Sequence, residues 1–383
     1  MSGKDWAPSP SGAAAGGPSE DEEFLTQQLI TCIGNKRALL DFIGRGVEKA
    51  ARRLGKSKLD CADLFSGSGV VARFLKRSAR TLLANDLERY AEVASVCYLA
   101  NESELDVARL REEYRVLKGR LAAGPLEAGF IAQLYAPADD ERIGPGERVF
   151  FTNRNARYLD TARRLVAELP EADRPFFLAP LLAEASVHAN TAGVFKGFYK
   201  NSATGRGQFG GNNRDALARI LGDIDLPFPV WSRFDCDVRV RRADANVLAR
   251  SLPEIDLAYL DPPYNQHPYG SNYFMLNLLA DYERPACVSR VSGIPPGWNR
   301  SAYNQAPRAL AAFADLVDRL PARFLLVSFN SEGFIGRRAM QGLLEKVGRV
   351  EVLETKYNAF RGSRNLSGRS IHVSEYLYLV EKK

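Results

Sequence analysis

The sequence predicts an α/β fold built on a parallel sheet, and three observations carry that reading. A β-capable run, Leu59 to Phe65, ends in Ser66-Gly67-Ser68-Gly69 and leads into a helical pattern from Val70 to Lys76. A second run, Arg80 to Ala84, ends at Asn85-Asp86 and is followed by a helix from about Leu87 to Ala100. The same rhythm resumes late in the chain at Val238 to Arg241, Ile255 to Leu260 and Arg323 to Phe329, then a last pair, Val350 to Lys356 and His372 to Val380. Strand, helix, strand in this order requires right-handed crossovers and a parallel sheet.

Taken in order, residues 1–23 are Ser, Gly, Ala and Pro rich, then acidic, and have too few large apolar side chains to bury; they read as a disordered tail. From Lys36 to Leu54, Leu39, Leu40, Ile43 and Val47 fall on one helical face and predict the first helix. Residues 24–100 form the first part of the α/β domain. Between 101 and 236 the rhythm breaks into helical patterns such as Val107 to Leu121 and Leu178 to Ala189, then a polar, glycine-rich stretch, which marks an insertion. Residues 237–383 complete the domain.

A chain of 383 residues, 45% hydrophobic and 26% charged, buries a real core. It has no apolar run long enough to span a bilayer and no basic-then-apolar leader, so the expected location is the cytoplasm. Five scattered cysteines and three histidines show no ligand spacing, and no metal is assigned. Lys and Arg outnumber Asp and Glu by 52 to 46, a formal charge of +6 that leans towards a polyanionic partner.

Three short segments carry chemistry. Asp63 to Gly69 lies at a strand end and opens a helix, where glycines admit a ligand to the backbone and the helix N-terminus offers free N–H groups. No Gly-Lys-Ser/Thr follows, so it is not a phosphate loop, although Gly67-x-Gly69-x-x-Ala72 fits a loose dinucleotide fingerprint. Asp86, at the next strand end, is placed to accept from a ribose diol, which NAD and S-adenosylmethionine share. The third segment, Asp261-Pro262-Pro263-Tyr264, directly follows an apolar strand. Its carboxylate and the rigidly held Pro262 carbonyl can accept from one amino group, and Tyr264 offers a face for a planar base. Within the insertion, Asn190 to Arg214 interleaves basic, aromatic and amide residues with glycine. Lys196, Lys200, Arg206 and Arg214 suit phosphates there, and Gln208 or Asn212 suits base edges.

With these segments in view, the chain from about residue 24 to its end resembles the alpha group of DNA adenine-N6 methyltransferases, the Dam-like family. Its Phe-x-Gly-x-Gly motif is matched by Phe65 to Gly69, its ribose acid by Asp86 and its catalytic tetrapeptide by Asp261 to Tyr264. The family's N-terminal cofactor motif is matched by Ile33-Gly34-Asn35-Lys36-Arg37-Ala38-Leu39-Leu40, and Asp244 falls where members carry an acid that contacts the cofactor adenine. Asn272 to Leu279 and Phe360 to Asn365, the latter with Arg361 and Arg364 as candidate DNA contacts, also look like family segments.

The resemblance implies a Rossmann-like S-adenosylmethionine methyltransferase sheet with helices on both faces and an inserted target-recognition domain. It also implies S-adenosylmethionine as cofactor and double-stranded DNA as partner, with a cognate restriction endonuclease left open. The motif order, lysine motif first and insertion between cofactor and catalytic motifs, is that of the alpha group. RNA adenine or cytosine-N4 as the substrate, an NAD-linked oxidoreductase and a silent DNA-binding module stand as the alternatives.

Overall fold

The computed structural model describes residues 19–34, 36–211, 216–358 and 372–383. The chain opens with α1 (Glu22–Thr26) and a 3-10 turn at Arg37–Leu39, then α2 (Leu40–Leu54), β1 (Leu59–Asp63), α3 (Val70–Lys76), β2 (Ala79–Asp86) and α4 (Arg89–Leu99). The insertion supplies α5 (Val107–Ala123), α6 (Phe130–Tyr135), α7 (Asn153–Ala167), α8 (Arg174–Val187) and α9 (Leu217–Leu221). The sheet resumes with β3 (Asp237–Arg242), α10 (Ala245–Leu248), β4 (Ile255–Leu260), α11 (Tyr269–Asn272), α12 (Phe274–Asp281) and α13 (Ala306–Arg319). It finishes with β5 (Ala322–Asn330), α14 (Arg337–Val347), β6 (Gly348–Asn358) and β7 (His372–Lys382).

The seven strands lie in the order β3-β2-β1-β4-β5-β7-β6, all parallel except β7, which runs antiparallel between β5 and β6. This is a Rossmann-like methyltransferase sheet, flanked by helices. β4 is buried at every position, as a central parallel strand covered on both faces must be. β3 is one edge, and its exposed Arg239 and Arg241 guard it against pairing with another chain. On one face α2 presents Leu40, Ile43, Val47 and Ala50 to Leu326, Leu377 and Leu379. It packs so closely that a Cβ at Gly46 would come within 2.5 Å of Leu326 Cδ1.

Strand order reverses at β1, whose neighbours β2 and β4 lead their helices away from a shared crevice. Register fixes what meets there: Asp63 stands opposite both Ala84 and Tyr259, so Asp86 and Asp261 each lie two residues further on, at the same sheet edge.

The insertion does not stand apart from the sheet. One apolar cluster runs from Tyr90, Ala94 and Tyr98 of α4 through Phe150, Phe177 and Leu181 to Met275 and Leu279 of α12. The expected tail also needs correction at its end. Asp21 caps α1, Glu20 accepts from Ser232 Oγ at 2.5 Å, and Phe24 is fully buried. Two acids of the expected disordered tail thus serve as a cap and an anchor, and Arg73 of α3 clamps the carbonyls of Phe24, Gln27 and Gln28. Residues 1–18 lie outside the described residues. No helix among the described residues is long and apolar enough to cross a membrane.

Candidate active site

The crevice at the reversal point opens into a cavity of about 950 Å³, its mouth included. Its floor is the glycine turn. Gly67 and Gly69 adopt φ of 51° and 77°, left-handed values that a side chain would strain. Asp86 holds this turn from the neighbouring strand, accepting from Gly67 N at 2.8 Å through Oδ2 and from Glu88 N at 2.9 Å through Oδ1. Its carboxylate thus braces the turn and the chain after the strand while lining the cavity. Burial raises the Asp86 carboxyl, against the opposing pull of these backbone donors. Beside it Asn85, which the sequence reading passed over, joins three strand ends by donating to Leu64 O and Ala243 O, both at 3.1 Å, and accepting from Ala243 N.

Asp63 lies 1% exposed in the cavity wall, and its Oδ2 has no partner. Burial pushes its carboxyl up to about 8, helped by the nearby charges of Asp261 and Asp86 and opposed by the Phe65 N–H. A buried acceptor aimed at empty space is costly unless something cationic or hydrogen-bonding arrives to meet it. Ser66 Oγ is a second such atom. Phe65 meets Tyr303 edge-on at 5.3 Å, and Tyr303 donates to Asn246 Oδ1 at 2.7 Å. Asp244 caps α10 through Asn246 N and Val247 N while lining the same wall. The link between α12 and α13 closes this side, with Asn299 donating to Leu87 O at 3.0 Å and Glu88 Oε2 at 3.2 Å. No local motif marks Tyr303 or Asn299 in the sequence.

Across the crevice stands the tetrapeptide. Pro262 is buried and Pro263 lines the cavity. Tyr264 packs edge-on to Phe329 at 5.9 Å, and its carbonyl accepts from Phe334 N at 2.9 Å. Lys36, from the N-terminal motif, reaches in with Nζ 3.2 Å from Asp261 Oδ1, 3.2 Å from Glu375 Oε1 and 5.8 Å above the Tyr264 ring. Burial works against the Lys36 charge, but the two carboxylates overcome it and hold the ammonium well above its ordinary value. Burial lifts Asp261 to about 6, with Lys36 pulling down and Glu375 pushing up. The structure therefore brings Lys36, Asp63, Phe65, Gly67, Asp86, Asp244, Asp261 and Pro263 to one cavity, with Gly69 and Tyr264 at its turn and flank.

The polar stretch of the insertion abuts this half. Asn190, fully buried, donates to Val149 O at 2.7 Å and Gln208 O at 2.8 Å and accepts from Gly210 N at 3.0 Å. It anchors a small hairpin in which Lys200 bridges Gly207 and Asn201 N donates to Arg206 O. Phe195 N donates to Asn272 O at 2.7 Å, and Tyr273 Oη gives to Gly193 O while accepting from Ile33 N. Lys196 and Arg206 are exposed, and Lys200 lies 5.0 Å over Phe198. His267, just past the tetrapeptide, is lowered by burial and by the Lys196 charge. Gln208 turns its amide inward to Gly210 O at 3.2 Å. Asn212, Arg214, Arg361 and Arg364 lie outside the described residues. Among the described residues no cluster of His, Cys, Asp and Glu forms a group able to hold a metal.

A sheet of this order, with a glycine turn and two acids at its reversal point and Asp-Pro-Pro-Tyr beside them, defines a methyltransferase that acts on an amino group. Residues 33–289 match the D12 class N6 adenine-specific DNA methyltransferase family, and the chain belongs to it. It is similar to Type II methyltransferase M.NlaIII of Neisseria lactamica, 29% identical over 91% of this chain and 98% of that one. It is also similar to Type II methyltransferase M.CviAII of Paramecium bursaria Chlorella virus 1, 26% identical over 92% of this chain and 98% of the other. Modification methylase StsI of Streptococcus sanguinis is 25% identical over 92% of this chain, which spans 52% of that protein. Site-specific methylation of adenine in DNA is thus the function of this chain, and the RNA, cytosine, oxidoreductase and silent-module readings are set aside. The family is in general dependent on S-adenosylmethionine.

Proposed function

We propose that the cavity binds S-adenosylmethionine and that Asp261, the Pro262 carbonyl and Tyr264 receive an adenine flipped from duplex DNA. The observation that carries this reading is the register of β2, β1 and β4, which delivers Asp86, Asp63 and Asp261 to one edge, with Asp63 Oδ2 unpartnered in the wall. The residues fit the cofactor: Asp63 suits its ammonium group, Asp86 its ribose hydroxyls, and Phe65 and Asp244 the adenine side. When bound, S-adenosylmethionine supplies a methyl group already activated by a sulfonium, so the protein's task is placement more than activation.

Extrusion of the base costs about a few kcal/mol, which stacking on Tyr264 offsets. Asp261 and the Pro262 carbonyl accept from the two amino hydrogens and turn the nitrogen lone pair towards the cofactor side of the cavity. With the cofactor supplying the methyl group, Asp261 would receive the proton that the amino nitrogen sheds. Lys196, Lys200 and Arg206 contact phosphates, joined by Arg214, Arg361 and Arg364. The protein works in the cytoplasm, and a cognate restriction endonuclease is a natural companion, in keeping with the modification methylases among its relatives.

Two measurements test this assignment. Asp63, with its carboxyl at about 8, is largely protonated at pH 7 in the free cavity, and an arriving ammonium draws the proton off. Calorimetry in buffers of different ionisation enthalpy should show proton release on cofactor binding at pH 7, fading by pH 9 and absent in Asp63→Asn. Binding without proton exchange at pH 7 contradicts the placement of Asp63. For the DNA side, Lys196→Ala with Lys200→Ala should weaken binding to all sequences alike and reduce the slope of log affinity on log salt by about 2. An unaltered slope removes both lysines from the phosphate contacts.

A further inference from the structure

Glu375 is an anomaly for a structural residue. It is 0% exposed on β7, on the strand face that carries Leu377 and Leu379, both also fully buried. A carboxylate there costs free energy that its ion pair need not return, and apolar replacements of such buried charge triads are commonly neutral or stabilising. The fold alone gives no reason to keep it. Its contacts do: Oε1 accepts from Ser328 Oγ at 2.6 Å and stands 3.2 Å from Lys36 Nζ, and the same Nζ stands 3.2 Å from Asp261 Oδ1.

We propose that Glu375 is a positioning residue for methyl transfer: braced by Ser328, it shares the Lys36 ammonium with Asp261 and so fixes Asp261 in the orientation and basicity that the target amino group requires. The inference rests on Asp261 being the amino-group acceptor. With Asp261 as its sole partner, Lys36 would be drawn wholly to that carboxylate and weaken it as an acceptor. Sharing the cation leaves Asp261 held but still basic. The groups that face Asp261 are Lys36 from the N-terminal motif, Glu375 from β7, Tyr259 and Tyr264 from β4 and the turn after it, Asp63 from β1, Tyr269 from α11 and Cys32. Of the charged groups among these, Glu375 alone lies outside every motif that the sequence displays.

The test is the pH profile of single-turnover methylation by the full chain, with adenine-unmethylated plasmid DNA and labelled S-adenosylmethionine. Wild type should lose activity as pH falls through about 6, where Asp261 takes up a proton. Glu375→Gln removes a like charge, so the acid limb should move to lower pH by up to about one unit. Its plateau should fall about 10- to 100-fold through misplacement, with cofactor affinity and KM for DNA unchanged. Glu375→Asp restores the charge without the reach, returning the acid limb to its wild-type place with the plateau still low. A merely structural Glu375 would lower the melting temperature and leave the limb where it is; that result, or a wild-type plateau, overturns the proposal. If Glu375→Gln does not fold, Ser328→Ala decides: a lowered plateau at wild-type melting temperature supports the proposal, and a wild-type plateau overturns it. Asp261→Ala run alongside separates the two readings. Full activity there removes the catalytic assignment, whereas loss there beside an unaffected Glu375→Gln removes only the role of Glu375.

Discussion

Asp261→Ala is expected to reduce single-turnover DNA methylation by about 10²–10³-fold or more, the cost typical of removing one preorganised hydrogen-bond partner of a reacting centre. The variant should fold, because Lys36 keeps Glu375 as a counter-ion at 3.2 Å. Burial raises Asp261 from 3.8 to about 6, so the folded chain binds its proton more tightly than the unfolded chain does. This carboxyl's contribution to stability is therefore largest at low pH and declines as pH rises through that window, and its removal should not lower the melting temperature at neutral pH. Cofactor and DNA affinity should persist. Tyr264→Ala should fail differently, losing a stacking face worth about 1–3 kcal/mol and with it capture of the flipped base, while Tyr264→Phe retains both face and activity. A fluorescent base analogue at the target position reads flipping apart from chemistry. A wild-type single-turnover rate in Asp261→Ala means that the acceptor lies elsewhere.

Asp86→Ala carries the second large effect, on cofactor affinity. The carboxylate braces Gly67 N and Glu88 N and lines the cavity, so its loss removes an acceptor and loosens the turn at once. A hydrogen bond to a charged group contributes about 1.5–3 kcal/mol, which predicts a Kd for S-adenosylmethionine about 10- to 150-fold weaker by calorimetry. Affinity for DNA should change little. Asp86→Asn keeps an oxygen that can accept from Gly67 N and should lie between the two. Unchanged cofactor binding in a folded Asp86→Ala chain would make Asp86 a brace only.

The centre of the sheet was legible because strands such as Ile255 to Leu260 are nearly continuous apolar runs closed by turn residues, and because the ligand-facing groups sit at strand ends where glycine and proline mark them. Asp63, Asp86 and Asp261 could be found this way; their convergence follows from a register that the sequence leaves implicit. Glu375 could not, since a single carboxylate in a strand of mixed polarity has no local signal and its partner Lys36 lies at the other end of the chain. Asn190 was equally hidden. It opens a stretch whose basic, aromatic and amide residues suggest DNA contacts, yet it is itself the buried staple of the hairpin, a role decided by Val149 and Gly210. The antiparallel placement of β7 between β5 and β6, and the single core that joins the insertion to α4 and α12, likewise depend on contacts distant in sequence.

The central claim, transfer of a methyl group to the exocyclic nitrogen of adenine in DNA, is tested most directly by following the label. Duplex DNA incubated with the protein and methyl-labelled S-adenosylmethionine, then digested to nucleosides and separated by chromatography with mass detection, should carry its label in N6-methyldeoxyadenosine. Label in N4-methyldeoxycytidine, or label that appears only with RNA, would contradict the account.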